Sequence, residues 1–557
     1  MTKFSIRSVM RRLEAKSIIE RCLGPEVYRA LRARGLRAEK TVDRLQARAS
    51  QRIVNFGLRD ARGNTVYKHG VSWSVVQQMT FAQALEANCR MVTDVLDKSG
   101  VSWWLVENTP SRHAVIGVDV ESRDTILQAL SSLDSEAPVY ASGIEAPIVL
   151  RHVSTISKSM DLKSADVINV LAPRAVVDST LEYGIATACQ IEFWRFGDEE
   201  QVTAPRENRA SRVISREDFL LVEDDPSISS ARVPSVLKKR MLDDVIFPVD
   251  AVYTWVDGED PDWIKSKHRT ESEIAGVEYH GEANHIARFR SRDELKYSLR
   301  SLEMYAPWFR NIFIVTAGQV PEWLNTDHPK IKLVDHRDIY PDASYLPTFN
   351  SNSIISRLHH IQGLSEHYVY INDDVFFGRP LAKDRFFLPS GIAKVSPSRN
   401  RRPFGSPTAH DEPHLNLTRN MRALLERDFG VTISRAIKHT PHPQLRSVHF
   451  EMESKYAEAY EQTWSSRFRH HQDIVADQLH HYYAQIVGKA VPTNLRYNYI
   501  NILDDQYRGT MQNTLRLRHR DTFCINDAPV DGATPIPDDE VTNFLENYFP
   551  VKSSFEN

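Results

Sequence analysis

The stretch YVYINDDVFFGRPL, residues 368–381, decides the fold. Tyr368, Val369, Tyr370 and Ile371 are aromatic or β-branched, the composition of a buried strand. Asn372, Asp373 and Asp374 interrupt the apolar run, which resumes at Val375, Phe376 and Phe377. Two adjacent carboxylates in apolar surroundings cost free energy unless they are paired or bind a cation. The alternative is an Asp pair that merely caps a turn.

The neighbouring sequence favours a ligand. VDAVYTWVDGEDPDW (249–263) reads as a strand, Val249–Val256, broken by Gly258 and Pro261, so that Asp257 lies on the loop at its C-terminal end. Open α/β sheets bind ligands at such ends. In SRDELKYSLRSLEMYAP (291–307) Ser291 and Glu294 have capping-box spacing, and Leu295, Leu299, Leu302 and Ala306 recur at helical spacing. NIFIVTAG (311–318) and KIKLVDH (330–336) read as strands, and NSNSIISRLHHIQGL (350–364) as a helix leading into the strand at 368. Strand–helix–strand order predicts a mostly parallel sheet. If the two strand ends are neighbours, Asp257, Asp373 and Asp374 cluster. Such a cluster holds a hard divalent cation, Mg²⁺ or Mn²⁺, and through it a diphosphate.

At 557 residues the chain exceeds what one core normally serves. Residues 55–200 alternate helix and strand patterns and are expected to form an α+β accessory domain: a helix stopping at Gly100, strands in VSWWLVE, HAVIGVDV, PVYAS, DVINVL and CQIEFWRF, and a helix capped by Ser122. A polar linker is expected over 201–240, the main domain over 241–530 with a helical insertion at about 410–490, and a C-terminal tail over 531–557.

Composition is ordinary for a globular protein, with 41% hydrophobic and 26% charged residues. The net charge of −3 gives no argument for a nucleic-acid partner. Four widely separated cysteines predict neither a zinc knuckle nor a disulfide framework, which suits a reducing compartment. No apolar run predicts a membrane span or a secretory leader, so a cytoplasmic location is expected. Residues 1–54 carry 14 Lys/Arg against 5 Asp/Glu, interleaved with leucines at helical spacing. That segment can lie on an anionic membrane at the inner face of the cell, or pack on its own protein or on a second copy in a homo-oligomer.

Several motifs in order carry a resemblance. VDAVYTWVDGEDPDW, RFRSRDELKYSLRSLEMYAPWFRNIFIVTAGQVPEWL, LPTFNSNSIISRLHHIQGLSEHYVYINDDVFFGRPL, HTPHP and CINDAP together resemble the Stealth family of sugar-1-phosphate transferases, over about residues 240–530. That resemblance implies a glycosyltransferase-A-like mixed α/β core. It also implies transfer of a hexose-1-phosphate, N-acetylglucosamine-1-phosphate among the candidates, from a UDP-sugar donor to a hydroxyl of a glycan or polysaccharide acceptor in cell-surface or exopolysaccharide synthesis. UMP would leave and a phosphodiester would form. An ordinary metal-dependent glycosyltransferase would release UDP instead, and a polysaccharide-assembly protein would do no chemistry.

Nine of the 21 histidines fall within 410–481. By resemblance, His439 in KHTPHP matches a histidine proposed to act in catalysis, and Arg469 in RFRHHQD is assigned to a phosphate, for which the guanidinium fork is suited. Asp373 and Asp374 are the expected metal ligands, with Asp374 also a candidate base. Asp257, Asn372, Arg288 and Arg290 are the expected donor-binding residues, the arginines because, together with Arg292, they precede a helix N-terminus that can bind phosphate. Weaker candidates are His414 and Asn416 facing the site, the basic loop SPSRNRRPFG (396–405) gripping an anionic acceptor, and a zinc site from His410, His414, His439 and His442. CINDAP is read as a structural cap, with no catalysis assigned to Asp527.

Overall fold

The computed structural model describes residues 58–59, 65–68 and most of 70–557, apart from short stretches of which 224–231, 275–290 and 528–537 are the longest. The basic segment 1–54, Arg288, Arg290, His410 and the side chain of His414 lie outside the described residues. The chain divides into two compact units, Met1–Val75 and Val76–Asn557. In the first, Thr65–Lys68 pairs antiparallel with the strand that opens at Val71.

The second unit begins with helix α1 (Phe81–Lys98), which Thr80 and Gln83 close with a reciprocal capping box. Strands β1 (Trp103–Glu107) and β2 (Ala114–Asp119) follow, then α2 (Arg123–Ser131), β3 (Tyr140–Gly143), β4 (Val167–Leu171) and β5 (Cys189–Phe196). β2 runs parallel to β5, and the pairs β1–β2, β4–β5 and β3–β4 are antiparallel. This is the α+β accessory fold the sequence pattern predicts. Two local expectations change. Ser122 makes no side-chain cap, because Asp119 caps a 3₁₀ turn that runs directly into α2. The stretch expected as a linker adds β6 (Gln201–Thr203) and β7 (Val213–Ser215) to the edge of β5, with Val202 and Ile214 buried against Trp104 and Trp194. Its polarity belongs to the outward-facing residues of edge strands.

The main sheet consists of β8 (Val249–Thr254), followed by α3 (Pro261–Glu273) and α4 (Glu294–Tyr305), then β9 (Ile312–Thr316), β10 (Ile331–Asp335) and β11 (His367–Asn372). Their order is β10–β9–β8–β11, all parallel. Tyr368–Ile371 and Val249–Tyr253 are buried throughout, as parallel strands covered on both faces must be. Asp250 is fully buried in β8 and is satisfied by the Arg310 guanidinium (2.9 and 2.6 Å) and the Ser365 and Asn311 amides. It is a structural acid at the N-terminal end of the sheet.

After a turn at Asp373–Asp374 comes β12 (Val375–Phe377), then α5 (Pro413–Phe429). The region expected as a helical insertion is not all helix: β13 (His442–Leu445) joins the main sheet antiparallel to β11, with Tyr370 opposite His442. Helices α6 (Arg446–Lys455) and α7 (Ala476–Ile486) pack beside it. β14 (Tyr497–Asn501), α8 (Tyr507–Leu517) and β15 (Thr522–Asn526) complete a second sheet in the order β12–β15–β14. The C-terminal residues are core and not a tail: α9 (Asp538–Tyr548) is followed by buried Phe549, Val551 and Phe555. Glu556, itself buried, holds the buried Arg300 of α4 at 2.8 Å. The molecule thus has the mixed α/β core and N-terminal α+β accessory fold read from the sequence.

Candidate active site

β8 and β11 are adjacent and parallel, with Thr254 opposite Asn372. The loop bearing Asp257 and the Asp373–Asp374 turn therefore leave the sheet side by side. The Asp257 amide donates to Gln319 Oε1 (3.0 Å), and Gln319 Nε2 returns to the Asp257 carbonyl and to Asp260 (2.8 Å), so the loops after β8 and β9 are bound together. Asp260 caps α3, and Asp257 Oδ1 accepts the Glu259 amide at 2.9 Å.

The antiparallel register of β13 carries the chain back past the end of β11, so that His439 arrives opposite the acidic turn. His439 Nε2 lies 2.9 and 3.1 Å from the two Asp374 oxygens, and the Asn372 amide nitrogen lies 3.4 Å from the same ring nitrogen. Burial works against a charged His439, but Asp374 more than offsets it, and the imidazole is held above its ordinary pKa. His442 braces this loop. Its Nδ1 meets Asp477 at 2.6 Å and its Nε2 the Lys438 carbonyl at 2.9 Å. Both His442 nitrogens are thereby engaged, which removes it from the zinc set.

Asp373 is pushed up to about 8, first by burial, then by Asp374 and Glu294. Glu294 is itself raised by burial, with Asp374 adding to the effect. Here the sequence expectation fails: α4 has no capping box. Asp293 is the N-cap, in a left-handed conformation, and Ser291 Oγ accepts the Asp293 amide. Glu294 instead accepts the Arg292 amide (2.5 Å) and contacts the Arg292 guanidinium (3.4 Å), which also meets Asp538 (2.7 Å) and Asp527 (3.5 Å). Two serine hydroxyls of α4 fix it on β12, just after the turn: Ser298 Oγ donates to the Val375 carbonyl (2.6 Å), and Ser301 Oγ accepts the Phe377 amide (3.0 Å). Asn526 Nδ2 completes the group, 3.4 Å from Asp374. Neither Glu294 nor Asn526 was legible as a site residue. One wore a capping pattern, and the other belongs to a strand that only the fold brings beside β12.

Arg469 donates to Ser351 Oγ at 2.7 Å, at the start of the short helix Ser351–Ile355. Its loop is anchored by buried Asp473, which accepts from Asn350 (2.8 Å) and the His470 amide (2.9 Å). Phe349 stacks on Phe468 and meets Trp263 edge-on, so this loop borders the helix that follows Asp257. Asn416 is buried and bonded to the Thr408 backbone, a structural position.

The Asp373 carboxyl, raised by burial and by its acidic neighbours Asp374 and Glu294, fits a hard cation, whose charge would offset that repulsion. The compact three-ligand cluster among the described residues lies elsewhere, at His359, His360 and Glu453. A cation bound largely through substrate phosphates needs only one or two protein carboxylates.

Four conserved regions of the Stealth protein family match this chain: region 1 at 247–275, region 2 at 288–395, region 3 at 438–485 and region 4 at 513–557. Two exopolysaccharide phosphotransferases of Streptomyces coelicolor are 38% and 37% identical, over 85% and 89% of this chain and 82% and 94% of their own lengths. The chain belongs to the Stealth family. It is a transferase enzyme of the phosphotransferase class. A third Streptomyces coelicolor exopolysaccharide phosphotransferase, 38% identical over 85% of this chain, is longer, and the chain spans 51% of it. The exopolysaccharide phosphotransferase CpsY of Mycobacterium tuberculosis is 34% identical over 83% of this chain and 86% of its own length. Among solved structures, galactosyltransferase LgtC in complex with donor and acceptor sugar analogs aligns over 53% of this chain and 95% of its own, at 12% identity and a TM-score of 0.27. Among the described residues, no helix is long and apolar enough to cross a membrane.

Proposed function

We propose that this Stealth-family enzyme transfers a hexose-1-phosphate from a UDP-sugar to a glycan hydroxyl. The observation that carries this reading is the His439–Asp374 pair set directly beside Asp373. Asp374 fixes Nε2 of the imidazole. His439 takes the proton of the acceptor hydroxyl, and its raised pKa, with the proton shared toward Asp374, makes it a stronger base once neutral. The acceptor oxygen bonds to the β-phosphorus of the donor, and the bond from that phosphorus to the bridging oxygen breaks, so UMP leaves with the electron pair. The anomeric C–O bond stays intact and its configuration is retained. Asp373 and Asp374 would hold Mg²⁺ or Mn²⁺, which supplies positive charge against the diphosphate. Asp257 and Asn372 border the donor, and Arg469 stabilises charge on the transferring phosphate from the loop beside α3.

Incubation with a panel of UDP-sugars and glycan acceptors, read by nucleotide chromatography and ³¹P NMR of the product, tests this assignment. UMP and a phosphodiester resonance are expected. Release of UDP with a phosphorus-free linkage would assign the enzyme to ordinary glycosyl transfer.

A further inference from the structure

The second sheet has two functional ends. At one end are Asp374 and Asn526; at the other, β12 runs into Arg379, β15 begins after Asp521, and β14 begins after Arg496. Arg379 lies five positions after Asp374, a span of up to about 16 Å in extended chain.

Between these ends β14 presents a graded face. Asn498 turns toward α8, bonding Thr514 at 2.7 Å, and Ile500 is buried. The alternation of a strand therefore puts Tyr497 and Tyr499 on the opposite face. Tyr499, 45% exposed, donates to Asn526 Oδ1 at 3.0 Å and so stands next to the acidic turn. Tyr497 lies under the Lys438 ammonium, 5.1 Å from ring centre to nitrogen. Lys438 is the residue before His439, and its ammonium reaches Asn494 (2.6 Å) and the Leu495 carbonyl (2.9 Å). Asn494 lines an open pocket of about 510 Å³ that also holds Arg379, Arg385, Arg496 and Asp384.

The three arginines are braced from behind by one carboxylate. Asp521, whose side chain is fully buried, meets Arg379 at 2.5 Å, Arg385 at 3.1 Å and Arg496 at 3.7 Å. It also accepts the Arg496 amide at 2.9 Å. The three arginine side chains remain 36–49% exposed. With Lys438, four cations face two carboxylates, Asp384 and Asp521, so the track stays positive. Pre-set guanidinium forks suit phosphate oxygens, and tyrosine faces suit sugar rings.

We infer that this track, from Tyr499 past Tyr497 and Lys438 to the pocket of Arg379, Arg385 and Arg496, holds the already-built part of a phosphodiester-linked glycan acceptor. The inference deepens the sugar-phosphate transfer reading and rests on it. A chain whose repeats each carry one negative charge would lay its terminal hydroxyl at His439 and an earlier phosphodiester on the arginines. An enzyme built this way elongates long acceptors in preference to short ones.

The test is direct binding, which needs no turnover. A fluorescently labelled oligomer of six phosphodiester-linked hexoses is titrated into the full chain by anisotropy, beside a neutral glucan hexamer and inorganic phosphate. Tighter binding of the charged oligomer is expected, weakening as NaCl rises, and Arg385→Gln with Arg496→Gln should weaken it by about 10-fold or more. Arg385→Gln alone leaves Asp521 paired with Arg379 and should give a smaller loss in the same direction, which guards against a misfolded double variant. Equal binding of the neutral hexamer, unchanged affinity in both variants, or inorganic phosphate binding as tightly as the oligomer would each overturn the track. If the oligomer binds as expected while no UMP is released, the transfer reading fails and the binding surface stands.

Discussion

Asp373 gives the sharpest perturbation. Its carboxyl titrates near pH 8 in the folded protein, raised by burial and by Asp374 and Glu294, against about 3.9 in an unfolded chain. The folded state therefore holds this proton more tightly. The stability it contributes is present below about pH 4 and is lost as pH rises toward 8. Four pH units at 1.36 kcal/mol each would be about 5 kcal/mol at most. Residual solvent exposure and coupling to Asp374 reduce this to about 1–3 kcal/mol. A unit spanning Val76–Asn557 unfolds with an entropy near 1 kcal/mol/K, from about 2.1 cal/mol/K per residue, so the expected change is about 1–3 °C in Tm. Metal-free Asp373→Asn should thus melt about 1–3 °C above the wild type at pH 8 and at the same temperature or slightly below it at pH 5. Mg²⁺ should raise the wild-type Tm at pH 8, raise it less at pH 5, and leave the variant unchanged. Differential scanning fluorimetry after chelation, with metal content checked, reads all of these. A variant as destabilised at pH 8 as at pH 5, or one that keeps the Mg²⁺ shift, refutes the claim that Asp373 is an uncompensated cation ligand.

His439→Ala should lower turnover by roughly 10²–10⁴-fold with the fold intact by circular dichroism; a near-normal rate would transfer the role of base to Asp374. Because His439 titrates above its ordinary range, wild-type kcat/KM should fall as pH drops through a value above about 6.5, and Asp374→Asn should move that acidic limb to lower pH in addition to slowing the enzyme. Arg469→Ala should cost on the order of 10²–10³-fold in kcat if it meets charge on the transferring phosphate, whereas a purely structural arginine would show its loss in Tm. Arg300→Met strands buried Glu556 and should destabilise by about 3–5 kcal/mol in chemical denaturation; a loss under 1 kcal/mol would deny that this pair fastens the C-terminal residues.

The sequence by itself determined the parallel sheet and its acidic turn. A strand buried on both faces, such as Tyr368–Ile371, has no polar alternation to hide it, and Asp373 and Asp374 stand out against that background. The motifs around them were enough to reach the family. Patterns with two physical meanings were decided only by the tertiary structure. The Ser291–Glu294 spacing is that of a cap, yet Glu294 is buried where α4 packs on β12, so Arg292 and the acidic turn claim it. Polar residues over 201–240 look like a linker until β6 and β7 are seen paired at the edge of β5. Asn526, Asp477 and Asp521 carry no local signal at all. Each acquires its role from a partner at least 25 positions away: Asp374 for Asn526, His442 for Asp477 and Arg496 for Asp521. Local periodicity reports which side of an element is buried, and it is silent on which other element covers it.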